Sequence, residues 1–253
     1  MKVGFVIGGT QKGGTSALDA FLRQHPQICM PNDLKEVHFF DREEIFRGPR
    51  VDYEKYHAHF RPGPGHRIIG EASPIYMYWN TAPYRIWSYN PEMKWIVILR
   101  NPVDRAYSAW NMERSRGADP LSFEEAVATE QTRCRETLPV QHRVFSYIDR
   151  GFYAPQIRCL FNIFGSEKCL VLLNEDLQYR HRETLARIWT FLGVDQSVRP
   201  DQARVFEQSH GQLMDDQLRV KLTDRFYFDI KQLEQLIGRE LSAWYGSKGK
   251  VNV

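Results

Sequence analysis

Val3-Gly4-Phe5-Val6-Ile7-Gly8-Gly9-Thr10-Gln11-Lys12-Gly13-Gly14-Thr15-Ser16-Ala17-Leu18 decides how the rest of the chain is read. Val3 to Ile7 is a short apolar run rich in β-branched residues, the pattern of a buried strand. Gly8, Gly9, Gly13 and Gly14 let the backbone turn sharply and come close to a ligand. Thr15 and Ser16 open a helix whose apolar face is Leu18, Phe21 and Leu22. A loop of N–H groups at a helix N-terminus, with Lys12 inside it, is an anion site. The competing reading is a turn that merely links strand to helix, and four glycines around one lysine weigh against it. The nucleoside-triphosphate loop reads G-x-x-x-x-G-K-[ST]. Counted from Gly9, the sixth position is Gly14, but the seventh is Thr15 and the lysine stands at the fourth. A phosphate still fits such a loop, with its ammonium displaced, and that displacement points to a different donor nucleotide.

The chain has 253 residues, enough for one large α/β domain with a full core. Its net charge of +3 demands no extended polyanion-binding surface, so no nucleic-acid partner is expected and local basic clusters must carry any anion binding. No apolar run approaches the ~20 residues that span a bilayer. No secretory or targeting pattern precedes the first strand. Cys29, Cys134, Cys159 and Cys169 form neither a C-x-x-C pair nor a zinc spacing. They read as reduced thiols, and the expected location is cytoplasmic.

Further strands are expected at Ile28-Cys29-Met30, Arg67 to Ala72, Lys94 to Arg100 and Cys169 to Leu173. The run Lys94-Trp95-Ile96-Val97-Ile98-Leu99-Arg100 is apolar without a break, which means burial on both faces. Helices are expected within 52–60, over 81–89, from Pro102 onward with Val103, Ala106, Tyr107 and Trp110 as its stripe, near 142–149, over 154–164, and through Leu185 to a stop at Gly193. Residues 111–142 read as charged helix and loop. Leu222, Phe226, Ile230, Leu233, Ile237, Leu241 and Trp244 mark a long amphipathic helix. Strands alternating with helices predict an α/β fold of the P-loop type, a central parallel sheet covered by helices on both faces, as a single domain over 1–253. Ligands of such sheets bind beyond the C-terminal strand ends, where both the glycine loop and Arg100 fall.

Arg100-Asn101-Pro102-Val103-Asp104-Arg105-Ala106-Tyr107-Ser108-Ala109-Trp110 is the second constellation. A kinase of this fold places an aspartate at that strand end to hold Mg²⁺. An arginine repels a metal and takes a phosphate bidentately. Ser108, two turns into the helix, is placed to reach the same anion; an Arg100 paired with a carboxylate and a Ser108 that is an ordinary helix residue are the alternatives.

Thr10-Gln11-Lys12-Gly13-Gly14-Thr15-Ser16 resembles the 5′-phosphosulfate loop of the sulfotransferases that use 3′-phosphoadenylyl sulfate (PAPS), and Arg100 to Trp110 resembles their 3′-phosphate segment. Lys35-Glu36-Val37-His38-Phe39-Phe40 resembles the catalytic segment of the heparan-sulfate-type branch, the N- and 3-O-sulfotransferase-like enzymes. Gly70 to Tyr76, Asp149 to Tyr153 and Leu172 to Leu177 match that branch in kind, so the resemblance covers residues 3 to about 245. It implies PAPS as donor with no metal. Lys12 would neutralise the bridging and 5′-phosphate oxygens. Gln11, Gly13, Gly14, Thr15 and Ser16 would line the 5′-phosphate, and Arg100 and Ser108 would hold the 3′-phosphate. Glu36 would be the general base on a hydroxyl, or in second place an amine, of a glycan or small metabolite. His38, two residues on and facing the same side of an extended segment, would orient Glu36 or be the base itself. Tyr153 and Arg150 would line the nucleotide pocket, unless Tyr153 is a core-edge ring. Tyr53, Tyr76, Tyr78, Trp79 and Trp110 are candidates for the acceptor pocket. Two departures stand out. Animal heparan-sulfate enzymes often carry a lysine where this chain has Ala72, and a disulfide with a basic loop near the C-terminus. Here that region reads Ser209-His210-Gly211, and Lys248 and Lys250 past Trp244 read as tail charge. A small-substrate P-loop kinase and a non-catalytic nucleotide-binding module are the rival functions.

Overall fold

A computed structural model describes residues 2–201 and 214–246. The chain divides into two compact units, residues 1–100 with 160–208 and residues 101–159 with 209–253.

The first unit holds a five-stranded sheet in the order β2-β3-β1-β4-β5, with every neighbouring pair parallel. Its strands are β1 (Phe5–Gly9), β2 (Ile28–Cys29), β3 (Ile68–Ala72), β4 (Lys94–Leu99) and β5 (Cys169–Leu173). The α/β class and the parallel sheet clad by helices are as the alternation of elements predicts. β1 begins two residues later than its apolar run and extends through Gly9, because Gly9 still pairs with Val97 after a register shift. Val6, Ile7, Trp95, Ile96, Val97 and Ile98 are all buried, so side chains on both faces of β1 and β4 are covered. On one face α1 (Thr15–Leu22) packs Leu18, Phe21 and Leu22 into a cluster with Phe5, Ile7 and Ile98. From β1 the chain crosses to β2 at the edge, comes back to β3 between β2 and β1, then passes to the other side of β1 for β4 and β5. The reversal lies between β1 and β4, the place where such sheets open a crevice beyond their strand ends.

Short helices α2 (Tyr53–His57) and α3 (Ala82–Tyr89) fall inside the predicted spans.

In the second unit, α4 (Pro102–Ser115) starts as predicted, with Asn101 Oδ1 accepting from the N–H groups of Val103 and Asp104. α5 (Phe123–Arg135) carries a capping box between Ser122 and Glu125. α6 (Tyr153–Phe164) follows, and its last residues fall in the first unit. The helix expected near 142–149 is absent: only a 3-10 turn forms, at Asp149–Gly151. Side chains take the N–H groups a helix would use. His142 Nδ1 accepts from Val144 and Phe145, and the buried Glu130 accepts from Ile148 and Asp149.

The first unit resumes with β5, then α7 (Asn174–Tyr179) and α8 (His181–Leu192), which ends at Gly193 in the left-handed region, φ 73°. In the second unit α9 (Asp216–Ile237) stops at Gly238, φ 62°. Leu241 and Trp244 therefore do not continue the helical stripe; they are buried around a separate 3-10 turn, Ser242–Trp244.

Candidate active site

The glycine loop, which follows β1, is pinned at the ends of two further strands of the first unit, β4 and β5. Thr10 N–H donates to Ile98 O of β4 at 3.0 Å, and Gly13 N–H closes the turn onto Thr10 O at 2.9 Å. Asn174, the residue that follows β5, donates its side-chain amide to Gly13 O at 2.9 Å. Glycine is required at two places. A Cβ on Gly13 would stand 2.3 Å from Ile98 O, and Gly14 has φ 110°. Lys12 also sits in the left-handed region, φ 67°. Gly14 occupies the N-cap of α1 with no side-chain cap, so Thr15 and Ser16 are the first two helical residues. The N–H groups of this first turn have no acceptor within the helix, and they face where an anion is favoured.

Next to that turn lies the acidic segment. Lys35 Nζ donates to Ser16 Oγ at 2.6 Å and to Glu36 Oε1 at 3.2 Å. Glu36 Oε2 meets His38 Nε2 at 3.1 Å, and His38 Nδ1 meets Asp41 Oδ2 at 3.0 Å. Glu36 and His38 are equally part-exposed, at 31% and 32%, and Asp41 behind them is fully buried at 0%. The hydrogen bonds to Asp41 and Glu36 push His38 up to about 9, against burial, so both ring nitrogens carry protons at neutral pH. Burial pushes the Glu36 carboxyl up, but the hydrogen bonds and charges of His38 and Lys35 outweigh it and hold the group below its ordinary value. Glu36 and His38 meet as their spacing suggests, though not on an extended segment: His38 has φ 53°.

Lys12, Gln11, Gly13, Gly14, Thr15, Ser16, Glu36, His38 and Arg100 all belong to the first unit. Arg100 follows β4 directly and is half-buried, on the strand adjacent to the one that feeds the glycine loop. Ser108 lies half-buried on α4 of the second unit. Tyr153 is buried at the start of α6, its N–H bonded to Asp229 and its ring edge-on to Trp244. Arg150 is buried against Ser146 Oγ and the carbonyls of His142 and Arg143. Of the rings offered for an acceptor pocket, Tyr76, Trp79 and Trp110 are buried with their polar atoms committed to Glu71, Glu43 and Leu121 O. Tyr78 is buried too, and Tyr53 alone of the five is half-buried. Ser209-His210-Gly211, Lys248 and Lys250 lie outside the described residues.

Sequence reasoning gave no role to Lys35, Asp41 or Asn174. The i, i+3 spacing of His38 and Asp41 was a usable signal; the contact of Asn174 with Gly13, 161 positions away, had none.

A family model described as "Sulfotransferase domain" matches residues 4–219. The chain belongs to the sulfotransferase family. The mouse bifunctional heparan sulfate N-deacetylase/N-sulfotransferase 3 is 31% identical over 218 residues, 82% of this chain and 24% of that protein. The mouse heparan sulfate glucosamine 3-O-sulfotransferase 3B1 is 31% identical over 210 residues, 81% of this chain and 50% of that protein. The chain thus spans a quarter to a half of these relatives' length. A crystal structure of a sulfotransferase from Alicyclobacillus acidocaldarius superposes with a TM-score of 0.86 at 33% identity, covering 97% of this chain and 100% of that one. The predicted enzyme class and the N-/3-O-type resemblance both agree with these matches. Among the described residues no helix is long and apolar enough to cross a membrane.

Proposed function

We propose that this sulfotransferase-family chain moves a sulfuryl group from PAPS to an acceptor hydroxyl, or in second place an amine, of a glycan or small metabolite, with Glu36 as general base. The observation that carries the reading is the partly open Glu36 carboxylate, tied through Lys35 to the first turn of the helix behind the glycine loop. Base and anion site are thereby held to one another in the same unit. The loop suits a phosphate end of such a donor, because it leads into the N-terminus of α1, whose first turn has no side-chain cap.

Glu36 takes the acceptor proton as the hydroxyl attacks in line; its remaining lone pairs are open to an incoming O–H. His38 has both N–H groups committed to carboxylates and no lone pair to accept a proton at neutral pH, so we assign it to orienting Glu36. Lys12 and the N–H groups of residues 13–16 stabilise the charge that grows on the leaving phosphate. Gln11 lines the same loop. Arg100, joined by Ser108, takes the 3′-phosphate, and Tyr153 borders the nucleotide; these assignments rest on the family resemblance. We read residues 1–253 as one sulfotransferase domain that needs no metal. None of its four cysteines is joined in a disulfide, which suits a cytoplasmic location. The heparan sulfate named in the relatives favours a glycan acceptor.

Thermal shift with 3′-phosphoadenosine 5′-phosphate (PAP), AMP and ATP–Mg²⁺ tests the donor: PAP alone should stabilise strongly. Stabilisation by ATP–Mg²⁺ alone would replace the reading with a kinase. Labelled PAPS offered to a glycan and metabolite panel then identifies the acceptor.

A further inference from the structure

Behind the Glu36–His38 segment lies a buried carboxylate that the reaction does not use. Glu71, on β3, is fully buried and accepts three hydroxyl protons: Tyr56 on Oε1 at 2.7 Å, Tyr76 on Oε1 at 3.0 Å and Ser73 on Oε2 at 2.7 Å. Two of those hydroxyls serve a second purpose. Ser73 Oγ accepts the N–H of His38 at 3.1 Å. Tyr76 Oη accepts the N–H groups of Phe39 at 3.0 Å and Phe40 at 3.4 Å. Three consecutive backbone donors are therefore held by hydroxyls that hang from one carboxylate.

We infer that Glu71 is a positioning residue for the proposed base, fixing the backbone of residues 38–40 through Ser73 and Tyr76 and so holding His38 against Glu36. A hydroxyl has one proton and two lone pairs. Above about pH 7, where Glu71 is ionised, its carboxylate is acceptor-only and draws the protons of Ser73 and Tyr76 inward, which leaves their lone pairs facing the backbone. The backbone at His38 needs such support. Its φ of 53° is in a region that a non-glycine residue keeps only where its surroundings over-determine it. That turn is what lets one imidazole meet Glu36 on one nitrogen and Asp41 on the other. Burial pushes Glu71 up to about 7, partly offset by its three hydroxyl donors; Asp41, Tyr56, Tyr76 and Tyr89 are the other titratable groups around it. The inference rests on the proposed role of Glu36, but its geometry is testable without an acceptor.

The experiment is an NMR titration of the His38 imidazole in wild type, Ser73→Ala, Ser73→Thr and Glu71→Gln, with PAP affinity measured by calorimetry on the same proteins. Wild type should titrate near 9. Ser73→Ala should bring His38 down by about one unit or more toward its ordinary value, while PAP affinity stays within about twofold. Ser73→Thr keeps the hydroxyl and should titrate as wild type. Glu71→Gln should act like Ser73→Ala or more strongly; if it fails to fold, Ser73→Ala decides. A His38 that still titrates near 9 in folded, PAP-binding Ser73→Ala overturns the inference. Failure of wild type to bind PAP would instead sink the donor reading, and would leave the His38 titration to judge Glu71 by itself.

Discussion

Glu36 is a carboxylate weakened as a base by its own neighbours, since Lys35 and protonated His38 both favour the ionised form. The gain is that it stays ionised to lower pH than an ordinary glutamate. Replacing it by Gln keeps the shape and removes the proton acceptor, so turnover should fall ~10²–10⁴-fold with donor affinity nearly unchanged. Steady-state kinetics with PAP calorimetry check this; turnover that barely moves would reassign the base. His38 sets the alkaline side. Its folded pKa is raised, so the stability it contributes is fully present below the ordinary value of 6.5 and is lost as pH rises through about 9. The melting temperature should decline across that window, and His38→Gln should flatten part of the decline. Glu36 and His38 were legible in sequence because residues 35–40, where charged residues abut aromatic ones, resemble the catalytic segment of the heparan-sulfate-type branch. Asp41 left a usable i, i+3 spacing from His38; Lys35 and Glu71 left none. Their contacts depend on hydroxyl bridges between separate elements, which leave no local pattern.

At the scale of elements, β4 was the easiest to read, because a strand buried on both faces is written as an unbroken apolar run. Helices were misread where glycine or a side chain overrode periodicity. The stripe through Trp244 was cut by Gly238, and 142–149 lost its helix to Glu130 and His142. The glycine loop was read correctly as an element, but its need for glycine comes from a neighbour it could not name, Ile98 O. Gly13→Ala puts a methyl group against that backbone carbonyl, which cannot swing away. It should cost about 1–3 kcal/mol of stability. It should also weaken PAP binding by about tenfold or more, because the loop's N–H groups move with it. Denaturant unfolding and calorimetry measure the two effects, and wild-type behaviour in both would mean that the loop shifts without consequence.

Across the molecule, the order β2-β3-β1-β4-β5 puts the ends of β1 and β4 side by side, so that the glycine loop and Arg100 leave the sheet at the same edge. The residue after β4 is a cation, which favours the proposed donor with two anionic ends over a nucleoside triphosphate with Mg²⁺. The two cases separate in one comparison. Arg100→Ala removes a charge-assisted contact worth about 1.5–3 kcal/mol, and affinity for PAP should fall by roughly 10–100-fold. AMP lacks the 3′-phosphate, so its affinity should hardly change. Sulfuryl transfer by wild type should also survive a chelator, since a guanidinium stands where a metal-holding carboxylate would be needed. Calorimetry of PAP and AMP against wild type and Arg100→Ala measures the difference directly. Equal losses for the two nucleotides would make Arg100 a structural residue, and magnesium-dependent ATP binding with no preference for a 3′-phosphate would overturn PAPS as the donor.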